Sequence, residues 1–122
     1  MVEFALCAVG LMLLTVGLFY AAQLLYAYNF VSYAAREGTR WASVRGNQSL
    51  QPATASAVAT FVTNEALGLN SSQLTVTTTW TPNENPGSQV TVKVQYKFTL
   101  GIPLVTTAGI TVASTSQMVI SQ

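Results

Sequence analysis

Between Glu3 and Arg36 the chain carries no charge, and from Phe4 to Ala22 the one strongly polar side chain is Thr15. About 20 consecutive apolar residues coiled as a helix cross the ~30 Å hydrocarbon layer of a bilayer. A run of this length must therefore lie in lipid or be covered by other protein. A secretory signal peptide is the weaker reading, because it needs a basic start and an apolar core of roughly 7–15 residues. Here the start holds Glu3 and the run is longer. Cys7 reads as a small hydrophobe within it.

Composition removes most other functions. Only Arg36, Arg40, Arg45, Lys93, Lys97, Glu3, Glu37, Glu65 and Glu84 are charged, 7% of 122 residues, with a net charge of +1. Soluble domains carry roughly 25%. Mean hydropathy is +0.41 and half the residues are apolar, which excludes disorder as a description of the whole chain. A balance of +1 supplies no field for nucleic acid, so no nucleic-acid partner is expected. One cysteine, no histidine and no aspartate argue against a disulfide framework and against most metal sites. Without histidine, a nucleophile–base pair needs lysine or glutamate as the base. Lys93 and Lys97 fall on a wet strand face and the glutamates are scattered, so no catalytic residue, cofactor or metal site is expected. There is no glycine-rich phosphate loop. Asn47-Gln-Ser49 and Asn70-Ser-Ser72 fit the glycosylation acceptor pattern, at a frequency close to chance in a chain this rich in serine and threonine.

The helix has no reason to stop at membrane length. Neither proline nor a turn cluster appears before Gly46-Asn47, so one helix can run from residue 2 to about 45, roughly 65 Å. The chain divides into this helix, residues 1–46, and a small head, 47–122. Residues 1–25 would be transmembrane or filament core, and 26–46 amphipathic against the head. At about 100° per residue, Phe19, Tyr26, Phe30, Tyr33 and Trp41 fall on one stripe about 80° wide, the expected head-packing face. Arg36, Arg40 and Arg45 flank it, and Glu37 sits on it within helical reach of Arg40.

Past Pro52 the character changes. Pro52 suits a first helical position, Ala57, Val58, Phe61, Val62, Ala66 and Leu67 recur at helical spacing, and Gly68 is a stop, predicting a helix over 53–67. From Asn70 the period becomes two. Residues 73–81, 89–99 and 109–121 read as three antiparallel strands with one wet face, the first two joined by the polar turn 82–88. The fold class is therefore α+β. The connection 100–108, which contains Leu104, is apolar although loops are normally wet. Either it folds back over the sheet or it meets a neighbouring molecule.

Glu3 is the most informative single residue. A carboxylate at the head of a membrane helix stays at the wet interface or finds a partner. If the helix leaves lipid to pack against copies of itself, the acid becomes costly unless it meets a cation such as a neighbour's free α-amino group. Phe4 follows it at the head of the stem. Gly10 and Gly17 are seven residues apart on one face and permit close helix approach.

Two stretches carry a family resemblance. Val2-Glu3-Phe4-Ala5-Leu6 leading into an apolar helix looks like the start of a type IV pilin-like protein. Residues 28–42 resemble the TadE-like family, through Ala34, Ala35, Arg36, Glu37, Gly38 and Arg40 in an Ala-Ala-Arg-Glu-Gly-x-Arg pattern. The strand segments 90–96 and 109–118 are similar to that family's terminal strands. The resemblance implies a tight-adherence (Tad, Flp-type) pilus system. It also implies a precursor held in the cytoplasmic membrane, cleaved by a prepilin peptidase and moved by pilus assembly machinery into an extracellular filament at the cell surface. By that implication Glu3 corresponds to the family's N-terminal glutamate. Arginines follow the apolar helix and none precede it, which read alone would put the head inside the cell; a removed basic leader reconciles the two.

The expectation is a structural subunit of a type IV pilus filament, homo-oligomeric in a helical array and serving surface adhesion. Two rivals are a minor pseudopilin that primes or caps a filament of another pilin, and a single-pass anchored surface module that never polymerises.

Overall fold

The computed structural model describes residues 1–101 and 109–122. Helix α1, Val2–Ser43, is followed by α2, Ala55–Glu65, a single 3-10 turn, Ser71–Gln73, and the strands β1, Leu74–Thr81, β2, Gln89–Thr99, and β3, Gly109–Val119. The three strands form one antiparallel sheet in the order β1-β2-β3. The architecture is α+β, with a long apolar N-terminal helix, a short second helix and a three-stranded sheet. Leu104 and the apolar connection around it lie outside the described residues.

The sheet follows from strict alternation. Val90, Val92, Val94, Tyr96 and Phe98 of the central strand all point to one face and are all buried. Their neighbours Thr91, Lys93, Gln95 and Lys97 point to the other, where water solvates them. Pairing runs without a break from Leu74↔Tyr96 to Thr81↔Gln89 and from Gln89↔Val119 to Thr99↔Gly109. Both helices cover the same sheet face, α1 over β2 and β3, α2 against β1 and α1.

The face that α1 turns to the sheet is not the aromatic stripe. Its buried residues are Ala27, Phe30, Val31, Ala34, Ala35, Gly38, Thr39, Ala42 and Ser43, centred roughly a third of a turn away. Of the stripe, only Phe30 is buried, at 8% exposure, whereas Phe19, Tyr26 and Tyr33 are 62%, 49% and 54% exposed. The reason is distance. Small side chains let the helix backbone close on the sheet, so that a Cβ built on Gly38 would already stand 3.0 Å from Val62 Cγ2 and 3.5 Å from Val92 Cγ1. At the same contact the Thr39 hydroxyl donates to the Ala35 carbonyl at 2.6 Å and lies 3.3 Å from the Ser116 carbonyl of β3. The aromatics work at the rim instead. The Tyr26 hydroxyl donates to the Leu67 carbonyl at 2.8 Å, and Trp41 stacks on Phe61 of α2 at 5.3 Å between ring centroids. The Arg45 guanidinium lies 4.2 Å over the Trp41 ring.

Helix α2 is shorter than its pattern predicts. It begins after Thr54, whose hydroxyl accepts from the Ala57 N–H at 3.2 Å, so the cap is threonine and Pro52 lies ahead of it. Ala53, just ahead of the cap, donates its N–H to the Arg45 carbonyl at 2.8 Å. At the far end Gly68, at φ +78°, turns the chain out of the helix direction, and Leu67, expected on the buried face, is exposed.

The C-terminal residues close the top of the head. Ser121 donates its N–H to the Ser43 carbonyl at 2.9 Å, and Ile120 exchanges backbone bonds with the β1–β2 turn through Gly87 and Ser88. The helix ends at Ser43, a little short of the expected residue 45, where this tail takes over its carbonyl. Gly46 sits beneath the tail, and a Cβ there would collide with the Gln122 carbonyl oxygen and Ile120 Cγ2. Gly46→Ala is therefore expected to lower head stability by about 1–3 kcal/mol, the range for overpacking. Denaturant unfolding followed by tryptophan fluorescence checks this, and an unchanged midpoint contradicts it.

Candidate assembly surface

Every residue from 1 to 19 is exposed, and Tyr20 is the first that is half-buried. The segment is long and apolar enough to cross a membrane, and none of it is buried within the molecule. Phe4, Leu6, Leu11, Leu13, Leu18 and Phe19 stand fully out from the helix. Leaving one such side chain in water forfeits about 1.5–3 kcal/mol relative to burial. Among the described residues, the head packs on α1 only from Tyr20 upward. None of them covers the stem, whose apolar surface suits contact with other molecules. Lipid covers it in a membrane, and other helices would do so in a polymer.

Its details favour close contact. Gly10 and Gly17 have open space where a Cβ would sit, which leaves two notches on one face of the stem. A shallow groove runs beside the first, lined by Val2, Ala5, Leu6, Val9, Gly10 and Leu13. Thr15 adds no free polar group, since its hydroxyl returns to the Leu11 carbonyl at 2.8 Å.

Glu3 lies in the first helical turn, where a carboxylate complements the exposed N–H groups of the helix start. It is exposed, beside Phe4, and among the described residues no cation stands within ion-pair distance of it. The carboxylate therefore has its full bonding capacity available to another molecule. The Arg40–Glu37 contact, at 3.9 Å and one helical turn apart, is largely exposed and stabilises little.

The residues of the 34–40 pattern separate by role. Ala34, Ala35 and Gly38 face the sheet and are buried, whereas Arg36 and Arg40 face water and Glu37 is half-buried. The pattern is thus about two turns of close helix–sheet packing with its arginines turned outward. Sequence reasoning named Ala34, Ala35 and Gly38 only for the family pattern and missed that they pack, along with Ala27, Val31, Thr39, Ala42 and Ser43 of the same face. Small residues recurring every three or four positions were the available signal. No group of three or more acids, cysteines or histidines placed to hold a metal occurs among the described residues.

A family model described as TadE-like protein matches residues 1–40. The match takes in the stem and the Ala34–Ala35–Gly38 contact and stops before the head. Comparison with curated proteins and with solved structures finds no match.

Proposed function

We propose, for a chain whose first 40 residues are TadE-like, that it is a structural subunit of a Tad-type pilus filament and has no catalytic role. The TadE-like match implies involvement in Tad pilus-related systems, and the apolar N-terminal helix suggests anchoring in a membrane. The finer reading rests on one observation: among the described residues, a folded head carries an uncovered apolar stem with a single unpaired acid at its tip. A mere anchor needs length and hydropathy. It does not need glycine notches or a carboxylate at the end of the apolar run.

In this reading the stem is first held in the cytoplasmic membrane, where lipid covers it. A prepilin peptidase and the assembly machinery then transfer it into a bundle of identical stems, which covers it again. Apolar contact supplies adhesion without fixing axial position. The pair between Glu3 and a neighbour's α-amino group supplies the register, because a slipped stem leaves a buried charge unpaired. The heads decorate the outside and present their threonine-rich sheet faces to the surroundings. Peptide identification in sheared surface fibres tests the assignment. The chain is expected as a dominant component. Recovery only as a trace would assign it to priming or capping, and its complete absence from the sheared pool would remove it from the filament.

A further inference from the structure

The lower end of the head lies level with the point where the stem emerges. Strand β3 runs alongside α1, since Ser116 meets Thr39, Ser121 meets Ser43, and Val112 lies with Ala21, Leu24, Leu25 and Tyr28. These last five line a groove that is almost wholly apolar and opens outward. Gly101, two residues past the end of β2, comes within 3.9 Å (from a Cβ built there) of the Tyr20 hydroxyl. Below this level, among the described residues, only the bare helix remains, residues 2–19, about 27 Å at ~1.5 Å per residue. That nearly equals the ~30 Å hydrocarbon thickness. Tyr20, Tyr26 and Tyr28 cluster just above it, where the ring bodies and hydroxyls of tyrosine suit a bilayer interface. Lys97, paired with Thr111, is the lowest cation on the sheet, and its side chain lies across Gly109. A lysine at this height can extend its ammonium toward lipid phosphates.

We propose that the α1–β3 groove and the adjoining end of the sheet sit in the headgroup region of the bilayer while the stem spans it, so that the head rests on the membrane rather than standing clear of it. This rests on the membrane-anchoring reading of the stem and is independent of whether the chain later polymerises. The occupant of the groove is the lipid interface, because the groove is continuous with the spanning surface and meets it one hydrocarbon thickness from the stem tip. The seat fixes the depth of the stem and shields the exposed Leu25 and Ile110 before assembly.

The two ends of β3 provide the test. Ile110 and Val119 are both exposed, at 40% and 58%, and lie at opposite ends of the strand, about 30 Å apart at ~3.3 Å per residue. Ile110→Cys and Val119→Cys, each in a Cys7→Ala background, are labelled with an environment-sensitive fluorophore. The full chain is then reconstituted in vesicles of phosphatidylcholine and phosphatidylglycerol. The label at 110 is expected to emit blue-shifted and to be quenched several-fold more by headgroup spin-labelled lipid than the label at 119. Thr111→Cys, at the same height on the opposite sheet face, repeats the reading should position 110 not tolerate the label. Vesicle-inserted protein whose low and high labels are equally water-exposed overturns the seat and leaves the anchor intact. A chain that fails to enter vesicles overturns both.

Discussion

Glu3→Ala is expected to leave the chain in the membrane at normal level and to abolish filaments or reduce them severely; Glu3→Lys is expected to do the same. In the bilayer the acid lies at the wet end of the stem, so its loss changes insertion little. In a bundle of stems it is withdrawn from water, and removing one partner of such a pair costs about 3–5 kcal/mol. This is roughly two to four powers of ten in an association constant for each subunit added. Lysine is worse than alanine because it places a second cation against the neighbour's α-amino group. Sheared-fibre yield measured beside the membrane-fraction level separates the two effects. Normal fibres from Glu3→Ala would discard the register role while leaving apolar packing in place.

The second large effect concerns how the head is held. Ala35→Leu is expected to destabilise the head by about 1–3 kcal/mol or unfold it, because Ala35 is fully buried where helix and sheet close most tightly. Tyr33→Ala, two residues away, is expected to stay within about 0.5 kcal/mol, as an exposed substitution far from any special contact. The pair contrasts the two faces of α1 directly. Thermal unfolding of both variants in the same detergent is the measurement. Equal losses, or a larger loss from Tyr33→Ala, would mean that the aromatic stripe and not the small-residue face carries the packing.

That contrast also explains what could be read in advance. The strands were legible because period two in Val90-x-Val92-x-Val94-x-Tyr96-x-Phe98 has only one consistent placement, with the valines inward and Lys93 and Lys97 outward. The long apolar helix was legible because charge is absent between Glu3 and Arg36, but nothing in that run marks Tyr20 as the level at which the head begins. The orientation of α1 was not, because the aromatics drew the packing face toward the largest side chains. The sheet instead selects residues by how closely they let two backbones approach, which favours Ala27, Ala35, Gly38 and Ala42. Tyr26 and Trp41 do hold the head, through a hydroxyl bond to Leu67 and a ring stack on Phe61, at the edges of the contact. The start of α2 was misplaced because Pro52 and Thr54 are both credible start signals, and only the Thr54 hydroxyl caps a free N–H. Glu3 stood out by its isolation, and in the proposed filament its partner would be supplied by another copy.

The central claim is that identical stems cover one another once they leave the bilayer. Electron cryomicroscopy of sheared filaments tests it most directly. The expected density has residues 2–19 of neighbouring copies bundled about the filament axis, the heads outside, and each Glu3 carboxylate beside an adjacent α-amino group. Filaments whose axis is built from another protein, with this chain found only as separate lipid-embedded molecules, would contradict it.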